Sequence, residues 1–187
     1  MRCVLAFLGL FAATACATAP APRANLGSSI HVCAGGGANL PATDRSRRVV
    51  GFEPVISIAG NQLLSAPVPA CISSGFGPRR GGAGDFHKGV DFFTGSPRTF
   101  VAAGDGVVTF IGRQRGYGRV IIIRHRNGVE TRYAHLSKFS RSIREGARVR
   151  QGEPLGLTGD SGNATAVHLH YEIRVRGAPI NPMLAGS

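Results

Sequence analysis

Five side chains that can bind a metal or move a proton lie on three short stretches of the chain. One stretch, His-Leu-His-Tyr-Glu at residues 168–172, continues into an alternating Ile-Arg-Val-Arg run. Because side chains alternate along a strand, His168, His170 and Glu172 are predicted to share one face. Imidazoles are the commonest metal ligands and are acids or bases near neutral pH. Two of them side by side are costly unless something binds them, so this run predicts a metal site, a catalytic site or both.

Two other stretches offer partners for such a site. His87 and Asp91 are four residues apart, and extended backbone would turn both to one side with Gly89 between them, leaving room for a metal or substrate. Alternation along residues 131–136, Thr-Arg-Tyr-Ala-His-Leu, predicts that His135 shares a face with the threonine and tyrosine of that run. A catalytic zinc ion typically has three protein ligands and one open position. Spacing alone leaves open which histidines would bind it.

Short strands are predicted to position these residues. The 27 glycines and 11 prolines, with many valines and isoleucines, favour a turn-rich β protein. Apolar runs bounded by turn signals predict strands at residues 107–111, 120–125, 131–136 and 168–175. Asn127-Gly128 predicts a hairpin between two of these runs. The fold class is therefore all-β, a mainly antiparallel sheet or sandwich of hairpins. His125, which ends an apolar run, is interpreted as structural, and His31 is given no role.

The amino terminus predicts export. Residues 1–16 combine a positive start at Arg2, an apolar run too short to span a bilayer, and small residues before Cys16. The ending Ala-Thr-Ala-Cys also resembles a bacterial lipoprotein signal, in which a lipidated Cys16 would be a membrane anchor; ordinary cleavage nearby is the alternative. The protein is therefore expected in the periplasm or cell envelope, with or without a lipid anchor.

Residues 17–72 are interpreted as a linker and N-terminal extension, and residues 73–187 as the main domain. The part of the extension from residue 31 is a strap on the domain, an inhibitory segment or a partly disordered one, and the sequence does not choose among these. Cys33 and Cys71 remain after the signal, and in an oxidising compartment they are expected to form a disulfide.

The charge of +12 favours polyanionic surroundings, and 20 of the 22 basic residues are arginine. The arginines are spread along the chain, and basic and aromatic residues do not interleave as in nucleic-acid-binding proteins. Nucleic acid is therefore not expected as a partner, whereas anionic envelope polymers fit both the charge and the export signal.

Several motifs occur together in one order. They are Ser-Gly-Phe-Gly-Pro-Arg at residues 74–79, His-Lys-Gly-Val-Asp at 87–91, Val-Ala-Ala-Gly-Asp-Gly-Val-Val at 101–108, Tyr-Gly at 117–118, and the runs at 131–136 and 168–172. This ordered set closely resembles the lysostaphin-like, or LytM-type, zinc metallopeptidases of peptidase family M23. The resemblance covers roughly residues 73–183 and implies a LytM-type fold with a duplicated hybrid motif.

The resemblance also implies roles for the five side chains. His87, Asp91 and His170 would bind one Zn²⁺ per chain, whereas His135 and His168 would be an unligated catalytic pair. The pair would share proton transfer and stabilisation of the oxyanion. The implied substrates are the stem peptides of bacterial peptidoglycan, whose cross-links the enzyme would cleave as an endopeptidase.

The sequence leaves three points open. Glu172 is either a partner that orients an imidazole or a surface charge. Residues 165–167 are Thr-Ala-Val where the family usually has Thr-Gly-Pro, which puts substrate preference in doubt.

The alternative function is a non-catalytic LytM-type activator of cell-wall amidases. Such relatives usually lose zinc ligands, and because all five positions are filled here, the sequence favours an active enzyme.

Overall fold

The computed structural model describes residues 27–79 and 86–183, so the predicted export signal and Cys16 lie outside the described residues. The strands, in chain order, are β1 (Val55–Ile58), β2 (Asn61–Leu64), β3 (Cys71–Ser74), β4 (Gly77–Pro78), β5 (Phe86–His87), β6 (Val90–Phe93), β7 (Thr99–Val101), β8 (Gly106–Gln114), β9 (Gly118–Arg124), β10 (Val129–Ala134), β11 (Lys138–Phe139), β12 (Arg148–Val149), β13 (Pro154–Leu157), β14 (His168–Val175) and β15 (Ala178–Ile180). The only helical element in the two described ranges is a 3-10 turn at Arg126–Gly128. Within those ranges no helix is long and apolar enough to cross a membrane.

The strands form one large antiparallel sheet and three small ones. The large sheet has the order β12-β8-β9-β10-β14-β6-β3, with β15 also paired to β14. A second sheet has the order β11-β13-β7, and β1 pairs with β2 and β4 with β5. The predicted all-β, mainly antiparallel fold is therefore confirmed. The predicted hairpin is also present, since Asn127 adopts a left-handed φ of 56° in the turn between β9 and β10.

The inner face of the large sheet is an aromatic core. Tyr133 of β10 stacks on Phe100 of β7 at 5.4 Å between ring centroids, and Tyr171 of β14 lies 5.5 Å from Tyr133. Phe92 of β6 extends the row, and all four rings are fully buried. Aromatic side chains of this size carry much of the energy of a core. The row therefore joins the second sheet to the strands that carry the candidate site.

One chain of hydrogen bonds crosses this core. The His125 ring donates from Nδ1 to the carbonyl of Asp105 at 2.7 Å, so its Nε2 accepts from the Thr131 hydroxyl at 2.8 Å. The Thr131 oxygen lies 3.0 Å from the Tyr133 hydroxyl, which accepts from the amide of Ala103 at 2.8 Å. Burial lowers the pKa of His125 and so favours the neutral ring that this chain requires. These contacts support the structural interpretation of His125.

The N-terminal extension packs against the sheet. Val32 pairs in parallel with Ile72, next to the predicted disulfide between Cys33 and Cys71, which is present. Leu63 of the β1–β2 hairpin is fully buried in the main core. Because β3 runs across the predicted junction at residues 72 and 73, the extension and the main domain share a strand.

Gly89 has a role different from the predicted one. A Cβ atom at this position would lie 2.3 Å from the carbonyl oxygen of Tyr171 and 2.9 Å from its carbonyl carbon. The expectation that Gly89 leaves room for a metal or substrate is therefore wrong. The missing side chain instead lets the backbone between β5 and β6 approach β14.

Gly89→Ala should lower the free energy of unfolding by about 2 kcal/mol or more, because two backbones must separate to admit the methyl group. Urea denaturation measures this loss. Gly112→Ala is the matched control, since the three atoms nearest to its added methyl all belong to the ring of the half-buried Phe110, the first at 3.0 Å, and none is backbone. Equal losses in the two variants would contradict the close-approach explanation.

Candidate metal and catalytic site

The five predicted side chains meet in one open cleft of about 570 Å³ on the outer face of the large sheet. Antiparallel pairing sets His170 of β14 directly opposite both Asp91 of β6 and Ala134 of β10. His87 ends β5 and His135 follows β10, so both reach the same place. The rim is partly apolar, with Phe86 and Phe93 exposed to 46% and 40%.

Three of these side chains form a compact cluster of donor atoms. Nε2 of His87 and Nδ1 of His170 lie 3.1 Å and 2.8 Å from Oδ1 of Asp91, and 3.1 Å from one another. All three candidate ligand atoms lie within 4.8 Å of one another. Burial opposes ionisation of Asp91, but hydrogen bonds from His170 and His87 hold the pKa of its carboxyl well below the usual range.

Each histidine of this cluster has its second ring nitrogen fixed. Nδ1 of His87 donates to the carbonyl of Gly75 at 2.6 Å, and Nε2 of His170 donates to the Glu172 carboxylate at 3.0 Å. A carbonyl or carboxylate oxygen can only accept, so the ring nitrogens at these contacts carry the protons. The nitrogens left to contact Asp91 and each other are Nε2 of His87 and Nδ1 of His170, and these are the two that a metal would take.

This donor set fits a metal ion. Two imidazole nitrogens and one carboxylate oxygen are ligands that zinc takes in catalytic sites. Tetrahedral ligands about 2.0 Å from zinc would be about 3.3 Å apart, and the three distances here are within about half an ångström of that value. The described residues hold one such cluster, and it could bind a single ion.

Glu172 is the partner of an imidazole and not a surface charge. Its side chain is fully buried. Besides His170, it accepts hydrogen bonds from the Tyr117 hydroxyl at 2.7 Å and from Nε of Arg174 at 2.7 Å. Burial raises the pKa of Glu172, but the hydrogen bonds from His170 and Arg174 outweigh it and bring the pKa down to about 2. The carboxylate is therefore ionised at neutral pH and fixes the orientation of His170.

The predicted direction of His135 is wrong. Thr131 and Tyr133 point into the core, whereas His135 points into the cleft. The chain leaves β10 after Ala134, and His135 takes a left-handed φ of 61°, which breaks the alternation. Non-glycine residues rarely adopt this conformation, and it is concentrated at functional sites.

The two remaining imidazoles face each other across the cleft. The ring centroids of His135 and His168 are 4.8 Å apart. Nδ1 of His135 donates to the carbonyl of Ser161, and Nδ1 of His168 donates to that of Ala166, each at 2.8 Å. Both Nε2 atoms are therefore left to interact with a substrate; that of His168 is 3.7 Å from Oδ1 of Asp91. Burial lowers the pKa of His135 to about 4, so this ring is neutral near pH 7.

Three contributors to the site were not predicted as such from the sequence. Tyr117 belongs to one of the ordered motifs but has no predicted role, and Arg174 belongs to the alternating run that follows Glu172. The carbonyl of Ser161 carries no sequence signal, because any residue supplies the same group. The loop that contains it is held by the amide of Arg119, which donates to the Ser161 hydroxyl at 2.9 Å. His31 is exposed, pairs with Arg48, and has no part in the cleft.

Donor atoms of this kind beside two unligated imidazoles are typical of zinc hydrolases. Comparison with known proteins gives the class more closely: residues 85–182, more than half of the chain, match the model of peptidase family M23. The chain therefore belongs to peptidase family M23, as the ordered motifs predicted.

Individual relatives agree with this assignment. The chain is 50% identical over 97 residues to the DD-carboxypeptidase/endopeptidase Mpg of Neisseria meningitidis, a match that covers 52% of this chain and 22% of Mpg. It is 33% identical over 133 residues to the murein hydrolase activator NlpD of Salmonella dublin, covering 67% of this chain and 33% of that protein. A zinc-containing peptidase from Vibrio cholerae superposes with a TM-score of 0.59 at 29% identity, covering 72% of this chain and 40% of that one. The chain thus spans a third or less of these two curated relatives.

Glu172→Gln should weaken metal binding by about tenfold or more, because the neutral amide orients the His170 ring less strongly than the buried carboxylate does. Competition with a chelator measures the affinity. Glu130→Gln on the neighbouring strand, where the carboxylate is partly exposed and pairs with Arg132, is the control and should bind metal as the wild type does. Equal affinity in both variants would show that Glu172 does not support the ligand.

Metal binding should tighten as the pH rises. Burial lowers the pKa of His170, but its hydrogen bonds to Asp91 and Glu172 prevail and raise it to about 9. Below that pH the ring holds a proton that a metal must displace from Nδ1, so affinity should rise about tenfold per pH unit between about pH 6 and about pH 8. The rise should level off above about pH 9. Titration of the metal-free protein with zinc at several pH values measures this, and a flat profile would contradict it.

Proposed function

We propose that this chain is a zinc-dependent endopeptidase that hydrolyses the peptide cross-links of bacterial peptidoglycan. The observation that supports this most directly is the convergence of a His, Asp, His donor set with two further imidazoles in one open cleft. The likeness to Mpg, which is named for DD-carboxypeptidase and endopeptidase activity, supports an endopeptidase.

Zinc would be held by His87, Asp91 and His170, with one ion per chain. When bound, zinc would supply Lewis-acid activation of water and of the scissile carbonyl. The contribution of the chain is to orient both imidazoles and to place a proton on the ring nitrogen that faces away from the ion, through the hydrogen bonds to Gly75 and Glu172.

His135 and His168 would move the protons of the reaction. Because Nδ1 of each ring is held by a carbonyl oxygen, each Nε2 can accept a proton and later return it. Because His135 is neutral near pH 7, its Nε2 has a lone pair that can accept the proton of the attacking water. Once protonated at Nε2, His168 can donate a hydrogen bond to the oxyanion or a proton to the leaving amine.

The proposal extends to location and partners. Residues 1–16 would direct export to the periplasm or cell envelope, and Cys16, if lipidated, would anchor the protein to a membrane. Residues 17–72 would then be the linker and extension that precede the peptidase domain at residues 73–187. The disulfide between Cys33 and Cys71 suits an oxidising compartment. The charge of +12 suits any polyanion, and the predicted export and the lack of interleaved basic and aromatic residues favour anionic envelope polymers over nucleic acid.

The second candidate is an activator of cell-wall amidases without activity of its own. The likeness to NlpD, which is named as a murein hydrolase activator, favours it. Against it, all five side chains that catalysis would need are present and face one cleft.

Digestion of purified peptidoglycan, with the released fragments identified by mass spectrometry, tests the proposal. The zinc-loaded protein should convert cross-linked dimers to monomers and should stop doing so after chelation. Zinc-loaded protein that releases no fragment alone but accelerates an added amidase would favour the activator instead.

Two variants separate metal binding from proton transfer. His170→Ala should lose both zinc and turnover. His135→Ala should retain zinc but lose turnover by about 10²-fold or more, because only a proton-transfer group is removed. Zinc content by atomic absorption and fragment release by chromatography are measured on the same samples. His125→Ala is the control for loss of a buried histidine outside the cleft; retained turnover in His135→Ala would remove its proposed role.

A further inference from the structure

A loop of the N-terminal extension, residues 33–39 (the supporting loop), lies beside the strand that leads to the candidate metal site. The disulfide joins its first residue, Cys33, to Cys71 of β3. The amide of Gly37 donates to the carbonyl of Ser73 at 2.7 Å. The loop therefore follows this edge of the large sheet toward Gly75.

Gly75 lies between the supporting loop and a proposed zinc ligand. Its amide donates to the carbonyl of Ala38 at 3.0 Å, and its own carbonyl accepts the buried Nδ1–H of His87 at 2.6 Å. A Cβ atom at Gly75 would lie 1.6 Å from the carbonyl oxygen of Asn39. Only glycine permits this approach, so the position of the His87 acceptor is set directly by the loop.

Asn39 fixes the loop on the far side of Gly75. Its backbone is left-handed, with a φ of 56°, and its side-chain amide donates to the carbonyl of Pro78 at 2.7 Å. The loop thus contacts the segment through Ser73, Gly75 and Pro78. A shift of the loop would move the carbonyl that holds the His87 ring.

We propose that the supporting loop is a positioning element for the metal site, in which Asn39 and the Cys33–Cys71 disulfide hold the Gly75 carbonyl and thereby orient His87. This inference rests on the proposed zinc-binding function. It gives the extension a role in metal retention, which differs from that of a passive strap and from that of an inhibitory segment. It also makes Asn39 a positioning residue, since it acts on the ligand only through Gly75.

Asn39→Gly tests the inference, because glycine keeps the left-handed backbone but removes the side-chain hydrogen bond to the carbonyl of Pro78. Asn127→Gly is closely matched. Asn127 has the same φ of 56°, and its side-chain amide likewise joins the main domain and the extension, at the carbonyl of Ala59 at 2.9 Å. It lies in the hairpin turn at the far end of β10, about 17 Å from the site by strand length.

Zinc release to a colorimetric chelator, and not turnover, is the first measurement. We expect release from Asn39→Gly to be about tenfold faster than from the wild type, the size of effect seen when the partner of a metal ligand is disturbed. Asn127→Gly should release zinc at the wild-type rate. Equal rates in the two variants would overturn the proposal.

The His87 ring gives a second readout that general destabilisation would not move. In ¹H–¹⁵N NMR spectra, the Nδ1 proton of His87 should exchange faster with solvent in Asn39→Gly, whereas the Nε2 proton of His170 should be unaffected. If both protons respond alike, or neither responds, the loop has no specific action on His87 and the inference fails.

Reduction tests the part played by the disulfide. Reductant should speed zinc release from the wild type by a similar factor, but should not affect a Cys33→Ser/Cys71→Ser double variant, which should release zinc quickly under all conditions. Unchanged release after reduction would overturn the disulfide's part.

A wild-type protein that never retains zinc would instead refute the proposed function, whereas a zinc-retaining, active Asn39→Gly variant with normal release would refute the inference alone.

Discussion

The constraint on which the cleft depends is that every imidazole in it has one ring nitrogen already occupied by an acceptor of the fold. The acceptors are the carbonyl oxygens of Gly75, Ser161 and Ala166 and the carboxylate of Glu172. Each hydrogen bond orients a ring and assigns its proton, so the other nitrogen is left facing the cleft. Three separate segments, namely the connection after β3, the connection between β13 and β14, and β14 itself, must therefore be in place at once.

Strand β14 satisfies the demands of the core and of the cleft together. Leu169, Tyr171 and Ile173 fill the interior on one face, while His170 and Glu172 stand on the other. A buried carboxylate would be costly alone. Here the hydrogen bonds from His170, Tyr117 and Arg174 stabilise it. The two-residue period of β14 thus supplies both packing and chemistry. The flanking strands β6 and β10 are aligned with it by their register, which sets Asp91 and Ala134 opposite His170.

The sequence was sufficient for what depends on local periodicity. Alternation predicted the β14 faces, Asn127-Gly128 predicted the hairpin, and the count of cysteines predicted the disulfide. It could not give the left-handed turn of His135, because the φ of one residue at a strand end is set by the loop that receives it. Nor could it show that Gly89 admits a neighbouring backbone, since this depends on a contact with residue 171, far away in the chain. The burial of Glu172, left open by the pattern, likewise depends on tertiary packing.

The polar chain through the core, from Asp105 by way of His125, Thr131 and Tyr133 to Ala103, has a consequence for strand alignment. A two-residue slip of β10 would keep every apolar side chain on its proper face, so hydrophobic burial alone tolerates it. The same slip would leave the buried hydroxyls of Thr131 and Tyr133 without hydrogen-bond partners, at a cost of about 1–3 kcal/mol each. Polar pairing in the interior therefore selects one alignment of β10 among the several that hydrophobic burial permits. That alignment fixes the distance of His135 from β14 on the opposite face of the sheet.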